Sequence, residues 1–338
     1  MRVLLEKAGN FDKNHQITVE NDFIFIPIVG NLTKEEIHQI KNLNAEFEVV
    51  HKALNKIERK PQTYSEYIRK YYDIEEKNLE LFPKSFDIIG KIAIIEIPEV
   101  IEELETIIGK AIYKTYKNIR TVYSRVGQVS GKFRTRELKI IGGTDNPITI
   151  HRENNCLFKL NVKKVYYSPR LGSERWRVVE SVRNGERIID MFAGIGPYSI
   201  QIAKNKETQI IAFDINPTAI KYFKANLKLN KISSIRPILG DSSSYIDEYE
   251  FFADRIIMNL PGSASKYLKS ACHFISKDGG IIHYYQFVRH EKEIRNVIDN
   301  ISTKIQSYDR NLKEVIFKKK IKEISSSKSQ LALDLVLS

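Results

Sequence analysis

Apolar and polar positions follow two different patterns along the chain. In the C-terminal half, short apolar runs bounded by turn residues alternate with segments that carry apolar residues at helical spacing. The apolar runs are RIIDMF, QIIAFDI, RPILGD, DRIIMNL and GGIIHYYQFV, with helical segments such as PTAIKYFKANLKLN and EKEIRNVIDNI between them. Buried strands that alternate with helices indicate a doubly wound, mostly parallel α/β sheet. We expect this domain over residues 171–338, with NLKEVIFKK and QLALDLVL as an antiparallel hairpin at one edge.

The first half of the chain has shorter and more varied elements. Phe23–Val29 (FIFIPIV) is typical of a strand, and Thr33 is a candidate N-cap for the helix that follows. Strand-like segments begin again at Asp87, in DIIGKIAIIEI, and one helical stretch interrupts them at Glu99–Tyr116. The pattern predicts a small α+β domain over 1–60, a linker with surface helices over 61–85 and a β-rich domain over 86–170.

The composition excludes several classes of protein. Hydrophobic residues make up 42% of the 338 residues, which is enough for a buried core. Cys156 and Cys272 are far apart, so the sequence offers neither a disulfide framework nor the ligand spacing of a zinc or iron–sulfur site, and we expect no metal. The chain contains no run of about 18 apolar residues and no signal peptide, which favours a cytoplasmic protein that does not span a membrane.

The charge favours a polyanionic partner. The chain has 54 Lys+Arg against 42 Asp+Glu, a formal net charge of +12. In the β-rich region, basic residues alternate with tyrosines, a combination that holds phosphates and stacks on bases. The alternative is a lysine-rich, soluble sheet surface with half-buried tyrosines. The residues concerned are Lys110, Lys114, Lys117, Arg120, Arg125, Lys132, Arg134, Arg136, Lys139, Lys163 and Lys164, with Tyr113, Tyr116, Tyr123, Tyr166 and Tyr167.

The turn after the first strand of the α/β domain contains two glycines, Gly194 and Gly196. Glycines at these positions allow a tight turn and a close approach of a ligand to the backbone. A dinucleotide site would have a third glycine, but position 199 is a serine and Pro197 follows the second glycine. The motif therefore argues against pyrophosphate binding and against a nicotinamide-dependent dehydrogenase.

Three carboxylates follow the first three strands of this domain: Asp190, Asp214 and Asp241. Ligands of open α/β sheets bind at the carboxyl ends of the strands, where Asp214 is placed to hold a ribose diol and Asp241 an exocyclic adenine amine. Acidic strand ends without a pyrophosphate site suit the cationic S-adenosylmethionine better than NAD. The alternative role for each aspartate is that of a helix N-cap.

The fourth strand ends in Asn259-Leu260-Pro261. An asparagine side chain offers a donor and an acceptor to the edge of a planar base. This tripeptide resembles the (Asn/Asp)-Pro-Pro-type signature with which many methyltransferases hold a planar nitrogen substrate beside the methyl donor. The same tripeptide is also a good strand terminator.

The motifs together resemble one family, the archaeal tRNA (guanine-37-N1)-methyltransferases with their wyosine-pathway paralogues. The resemblance covers about residues 85–338. The matching stretches are Phe133–Leu138, Thr149–Asn154, Lys164–Arg175, Asp190–Tyr198, Asn259–Pro261 and Ile282–Tyr285. It implies a class I S-adenosylmethionine-dependent methyltransferase domain, preceded by a β-rich RNA-binding domain and a small N-terminal domain that contacts the tRNA elbow.

The resemblance also implies roles for individual residues. Glu174 is the base that takes the proton from N1 of guanine, Arg134 stabilises the charge on O6, and Asn259 reads the amide edge of the base. The implied cofactor-binding residues are Arg175, Asp190, Phe192, Gly194, Gly196, Asp214, Ile215, Asp241, Ser242 and Asn259. The implied substrate-binding residues are Arg134, Arg136, Tyr167, Arg170, Asn259 and Pro261.

The first residues depart from the family pattern. MRVLLEKAGNFDK corresponds to the first helix expected of the N-terminal domain, without the strand expected before it. This predicts altered contacts with the tRNA elbow. The family resemblance implies a monomer.

Two other functions stay open at this point. The first is methylation of carbon 7 of the tricyclic wyosine precursor at position 37, alone or in addition; the small residues of Gly262–Ser265 would leave room for that larger base. The second is a tRNA-binding protein that keeps the cofactor fold without turnover.

Overall fold

The structure is a computed structural model that describes residues 1–43, 46–56, 60–130, 135–325 and 327–338, without the side chains of 128–130 and 135–136. It divides into two compact units, Met1–Gln62 and Thr63–Ser338. Among the described residues, no helix is both long and apolar enough to cross a bilayer.

The first unit contains two short helices and one hairpin: α1 (Arg2–Ala8), β1 (Thr18–Glu20), β2 (Phe23–Phe25) and α2 (Lys34–Lys41). The N-cap prediction for α2 is confirmed, because Thr33 and Glu36 form a reciprocal capping box. The strand predicted over Phe23–Val29 ends earlier, at Phe25. Pro27 has no N–H for a strand ladder, and its carbonyl accepts a hydrogen bond from Asp12 N at 3.0 Å instead.

The second unit begins with an α+β region. Its elements are α3 (Tyr64–Tyr71), α4 (Glu76–Leu79), β3 (Asp87–Ile89), β4 (Ile92–Ile95), α5 (Glu105–Thr115), β5 (Thr121–Ser130) and β6 (Thr135–Gly143). The four strands form one sheet in the order β3-β4-β5-β6. The apolar run from Asp87 is therefore a hairpin rather than one strand, because Gly90 turns the chain at φ +58°. The helix α3 is part of the core, since Ile68 is fully buried against α5 and the sheet.

A two-stranded ribbon, β7 (Ile148–Glu153) and β8 (Cys156–Asn161), leads into the α/β domain. The domain consists of α6 (Gly172–Ser181), β9 (Arg187–Asp190), α7 (Pro197–Asn205), β10 (Gln209–Asp214), α8 (Pro217–Asn230), β11 (Ile235–Leu239), β12 (Arg255–Met258), α9 (Leu268–Phe274), β13 (Gly280–Val288), α10 (Glu293–Gln306), β14 (Leu312–Ser325) and β15 (Lys328–Leu337). The helix expected after β11 is only a 3₁₀ turn, Ser242–Tyr245.

The seven strands follow the order β11-β10-β9-β12-β13-β15-β14, with the first five parallel. The predicted antiparallel hairpin is present at one edge, and β15 lies between β13 and β14. The order reverses beside β9, so the carboxyl ends of β9, β10, β11 and β12 meet at the point where open α/β sheets bind ligands.

Candidate active site

Hydrogen bonds tie the first three strand ends together around Asp214. Its Oδ2 accepts a hydrogen bond from Gly194 N at 2.7 Å and its Oδ1 accepts one from Asn216 N at 2.8 Å. Its backbone carbonyl accepts one from Gly240 N at 3.0 Å. The carboxylate thus fixes the loop after β9, and each of its oxygens keeps a second lone pair for a ligand hydroxyl. Burial raises the pKa of Asp214, partly offset by these two backbone donors.

The two glycines of the β9–α7 turn serve different purposes. Both have positive φ, +58° at Gly194 and +86° at Gly196. A Cβ at Gly196 would lie 2.2 Å from Cε2 of Phe223, so this glycine is required by packing. A Cβ at Gly194 would meet no atom of the described residues within 4 Å, so there is open space beside its backbone.

Asp190, at the end of β9, is 1% exposed. Its Oδ2 accepts a hydrogen bond from Ser199 Oγ at 2.7 Å, but its Oδ1 has no hydrogen-bond partner among the described residues. Burial raises the pKa of this carboxyl to about 7, although the Ser199 hydroxyl and the backbone N–H of Phe192 act in the opposite direction. The oxygen without a partner among the described residues is a position at which a ligand can supply a donor or a positive charge.

Polar and aromatic groups lie together after β11. Asp241 Oδ1 accepts hydrogen bonds from Ser243 N and Oγ, and its Oδ2 accepts one from Tyr267 Oη at 3.1 Å. The Phe192 ring stands edge-on to the Tyr267 ring with centroids 4.8 Å apart. The Ser242 hydroxyl is buried and has no partner among the residues described. Aromatic surfaces beside unused polar groups suit a purine ring.

These features fit an adenosyl sulfonium compound. Asp214 presents free lone pairs to a ribose, and the pair formed by Phe192 and Tyr267 presents aromatic surface to an adenine. Gly194 leaves backbone space, and Asp190 offers a buried negative charge to a cation. Ile215, predicted in the same set, follows Asp214 directly and is half-buried.

Glu174 lies in the first turn of α6, where it is buried and tightly held. Arg177 binds it through two hydrogen bonds, Nε to Oε2 at 2.9 Å and Nη2 to Oε1 at 2.8 Å. Tyr285 Oη donates a third to Oε1 at 2.7 Å, and Tyr198 Oη donates in turn to Tyr285 Oη at 3.2 Å. Three donors converge on the two oxygens, which fits the carboxylate form and leaves one lone pair free on Oε2.

The opposite edge of the Arg177 guanidinium binds Asp334 of β15, with contacts of 2.6 and 3.0 Å. Asp334 also accepts a hydrogen bond from His283 Nδ1 at 2.7 Å. His283 Nε2 faces Arg255 Nη1 at 2.8 Å, and Arg255 is paired with Glu186 through contacts of 2.6 and 3.0 Å. A continuous, largely buried network therefore runs from Glu186 to Glu174.

The charges in this network follow from its contacts. Because Arg255 can only donate, His283 Nε2 must accept, and His283 is neutral with its proton on Nδ1. Burial lowers the pKa of His283, although Asp334 acts in the opposite direction. Burial alone would raise the pKa of Asp334, but His283 and Arg177 lower it to about 2.

Asn259 follows β12 beside the Glu174 cluster. Met258, the last residue of β12, pairs with Tyr284 in the parallel register, so Asn259 and Tyr285 each directly follow a residue of this pair. Asn259 Oδ1 accepts a hydrogen bond from Gln330 Nε2 at 3.1 Å. With the carbonyl oxygen engaged, the amide NH₂ of Asn259 is the group available to a substrate.

Arg175, predicted to bind the cofactor, forms a second buried cluster in this structure. Its guanidinium pairs with Glu153 at 2.6 and 2.7 Å and donates to Ser168 O at 2.9 Å. Tyr167 Oη and Gln201 Nε2 also donate to Glu153. Burial alone would raise the pKa of Glu153, but the hydrogen bonds and charge of Arg175 lower it. The arrangement supports the loop that carries Ser168, and it engages the hydroxyl of Tyr167.

The other predicted substrate residues lie at separate points. Arg170 Nε donates to Asp87 Oδ1 at 2.6 Å, which joins this loop to β3. Pro261 is half-buried after β12, and its carbonyl accepts a hydrogen bond from Phe287 N at 3.3 Å. Arg134 and the side chain of Arg136 lie outside the described residues.

The sequence did not reveal the groups around Glu174 and Asn259. Arg177, Asp334 and Gln330 carried no signal in the sequence. Tyr198, His283 and Tyr285 belong to stretches quoted for the family resemblance, and that match was the signal available for them. Among the small residues after Pro261, Ala264 is buried in the apolar cluster around α9, so it packs in the core.

Comparison with known proteins gives matches along almost the whole chain. The model of the TRM5/TYW2 methyltransferase domain matches residues 149–316, and that of the TYW2 N-terminal domain matches residues 65–146. The tRNA (guanine(37)-N(1))-methyltransferase Trm5b of Pyrococcus abyssi is 40% identical over 99% of this chain and 94% of its own length. Its crystal structure superposes with a TM-score of 0.83, covering 100% of this chain and 95% of that chain.

Three further matches have informative names. The complex of aTrm5 with tRNALeu has a TM-score of 0.80 at 35% identity, covering 99% of this chain and 95% of that one. M. jannaschii TYW2 in complex with AdoMet has a TM-score of 0.59 at 27% identity, covering 75% and 99%. The tRNA (guanine(37)-N(1))/4-demethylwyosine(37)-methyltransferase Taw22 of Nanoarchaeum equitans is 33% identical over 64% of this chain and 88% of its own length.

Proposed function

Since the chain belongs to the TRM5/TYW2 methyltransferase family, we propose that it transfers a methyl group from S-adenosylmethionine to N1 of guanosine 37 of tRNA. One observation carries this proposal. The carboxyl ends of β9 to β12 bring the adenosyl-binding features to the same sheet edge as Asn259, which adjoins the Glu174 cluster.

The cofactor site is the set of strand ends described above. S-adenosylmethionine supplies an electrophilic methyl group, whose bond to sulfur breaks as its bond to N1 forms. Asp214 holds the ribose, Asp241 and Ser242 bind the adenine edge, and Gly194 lets the ligand approach the backbone. Asp190 supports the cationic end with its unpartnered oxygen.

Glu174 accepts the proton that N1 loses. N1 of guanine carries a hydrogen, so methylation without deprotonation would leave a cationic base. The unused lone pair on Oε2 is the position to which this proton moves, since Oε1 already accepts two hydrogen bonds. A base with a fixed orientation needs no reorganisation when the substrate arrives.

Asn259 and Arg134 act on the other side of the base. As N1 loses its proton, negative charge spreads to O6 of the guanine. The Asn259 amide, oriented by Gln330, donates a hydrogen bond to O6. In this proposal Arg134, in the family motif Phe133–Leu138, supplies the guanidinium that neutralises the same oxygen.

The tRNA itself is bound through charge. The net charge of +12 favours a polyanion. Basic residues of the region 86–170, in which the ion pair of Arg170 and Asp87 ties the loop before α6 to β3, form the surface we assign to the anticodon loop. We also propose that the first unit contacts the tRNA elbow and that the enzyme acts as a cytoplasmic monomer.

The test uses purified protein, methyl-labelled S-adenosylmethionine and tRNA transcripts with guanosine or adenosine at position 37, with nucleoside products identified by mass. We expect N1-methylguanosine from the first transcript only. Glu174→Gln should lower the single-turnover rate at least 100-fold and leave tRNA affinity unchanged, because only the proton acceptor is removed. The control is Glu180→Gln, an exposed residue on the same helix. Full activity of Glu174→Gln would refute the assigned base.

A second activity, methylation of carbon 7 of 4-demethylwyosine at position 37, has specific support. Residues 65–146 match the TYW2 N-terminal domain, and the Nanoarchaeum equitans relative is named for both reactions. A transcript that carries the tricyclic base belongs in the same assay. Product from this transcript would make the enzyme bifunctional, and its absence would restrict the chain to guanosine.

A further inference from the structure

The contacts around Glu174 raise a question of charge. If Glu174 takes up the N1 proton, it becomes neutral, and the half-buried Arg177 then loses the negative charge of one of its two partners. A partly desolvated guanidinium without compensating negative charge is unfavourable. An isolated pair of Glu174 and Arg177 would therefore be a poor proton acceptor.

Asp334 removes this difficulty. It pairs with the other edge of the same guanidinium, at 2.6 and 3.0 Å, and its side chain is only 4% exposed. After Glu174 is protonated, Arg177 and Asp334 remain as a neutral pair. Before protonation, the network holds three carboxylates, on Glu174, Asp334 and Glu186, against the guanidinium groups of Arg177 and Arg255. The neutral His283 leaves a net charge of −1, which one proton cancels.

We propose that Asp334, acting through Arg177, is a positioning residue that sets the proton affinity of Glu174 for the methyl-transfer reaction. This deepens the proposed function and rests on it. Asp334 touches neither the substrate nor the cofactor in this proposal. It supplies the permanent negative charge that lets a carboxylate paired with an arginine act as a base.

Asp334 keeps its own charge because of its surroundings. His283 donates a proton to it and cannot take a second one, since Arg255 faces the other ring nitrogen. The low pKa of Asp334, about 2, agrees with this reading. The proton taken from the substrate therefore stays on Glu174, and Asp334 keeps its negative charge beside Arg177 and His283.

Other titratable groups also face Glu174. From α6 they are Arg175, which Glu153 neutralises, and Arg177. From α7 and β13 they are Tyr198 and Tyr285, whose pKa values burial raises, so both stay neutral at physiological pH. On the outer side, the guanidinium of Arg177 packs 3.7 Å from the ring centroid of Phe317 of β14. Within this set, Asp334 is the carboxylate that shares the partner of Glu174.

The experiment measures single-turnover rates from pH 5.5 to 9 for the full chain with a guanosine-37 transcript. In Asp334→Asn, the loss of a negative charge weakens proton uptake by Glu174. The acid limb of the pH–rate profile, in which the rate falls at low pH, should move to lower pH by about one to two pH units. The rate on the plateau of the same profile should fall about tenfold or more. In Arg177→Met, the limb should move to higher pH. In the double variant, the two shifts should largely cancel.

The controls separate this proposal from a structural role. Asp299→Asn, an exposed aspartate on α10, should leave the profile unchanged. Affinity for S-adenosylmethionine should stay within about twofold in Asp334→Asn, since β12 and β13 lie between Asp190 of β9 and Asp334 of β15 in the sheet. A rate lowered equally at every pH, with the limb unmoved, would overturn the proposal.

If Asp334→Asn does not fold, Arg177→Met decides alone, and an unmoved limb in that variant would equally overturn the proposal. Failure of the proposed function has a different signature, because Glu174→Gln would then keep its activity. An inactive Glu174→Gln with an unmoved limb in Asp334→Asn rejects only the role of Asp334.

Discussion

Asp190 is expected to lower the stability of the ligand-free protein at neutral pH, and Asp190→Asn should remove that cost. Burial raises the pKa of this carboxyl from 3.8 to about 7, while the hydroxyl of Ser199 partly offsets the shift. The folded protein therefore holds the proton at pH values where the unfolded chain has lost it. The resulting stabilisation is complete below 3.8 and is lost as the pH rises through about 7.

The size of the effect follows from the shift. About three pKa units correspond to about 4 kcal/mol in full, and about 3 kcal/mol of this falls between pH 5 and pH 8. Asparagine has the same shape and no charge, so the variant lacks this pH-dependent term. Relative to the wild type, Asp190→Asn should gain about 3 kcal/mol of unfolding free energy from pH 5 to pH 8.

Urea unfolding at several pH values measures this difference. Trp176, the one tryptophan of the chain, lies on α6 in the second unit, so its fluorescence reports on the α/β domain. Titration with S-adenosylmethionine provides the second measurement: the cofactor should stabilise the wild type more than Asp190→Asn, because the variant lacks the buried negative charge. An equal stability difference at pH 5 and pH 8 would show that Asp190 does not titrate in this range and would refute the reasoning.

Two further predictions concern packing and orientation. Gly196→Ala should lower the unfolding free energy of the second unit by about 3 kcal/mol, because its Cβ would overlap the Phe223 ring at positive φ. The control is Gly185→Ala, which has the same φ of +86° but whose Cβ would meet no described atom within 4 Å. Urea unfolding should show that this control loses only about 1 kcal/mol of unfolding free energy. Gln330→Leu removes the hydrogen bond that orients the Asn259 amide, so the turnover rate should fall about tenfold with cofactor affinity unchanged. Gln330→Glu, which keeps the side-chain length but loses the donor, should have the same effect. An unchanged rate in both variants would contradict the orienting role.

The common location of the three strand-end aspartates could be predicted from the sequence. Asp190, Asp214 and Asp241 each follow an apolar run, and parallel strands bring their carboxyl ends to one edge whatever the details of packing. The structure places all three there. The sequence could not show that a side chain at position 196 would overlap Phe223 whereas one at position 194 would meet open space, because that difference depends on where Phe223 lies in the fold.

The role of Glu174 was predicted only from the family resemblance, and the residues that hold Glu174 in place could not be predicted from the sequence. Arg177 and Asp334 are 157 residues apart, and His283 and Asp334 are 51 apart. A sequence pattern relates only residues that are close along the chain, whereas these contacts exist because β15 pairs with β13 in the folded sheet. The pattern also could not divide the apolar run at Gly90, where a positive φ turns one expected strand into a hairpin.

The position of β15 has a consequence for the order in which the site is built. The five parallel strands that carry the adenosyl-binding features precede β14 and β15 in the chain. Gln330 and Asp334, which contact Asn259 and Arg177, come from β15. In the roles proposed above, a nascent chain would therefore contain every residue assigned to the methyl donor before it contains the two that support the assigned base and the substrate amide.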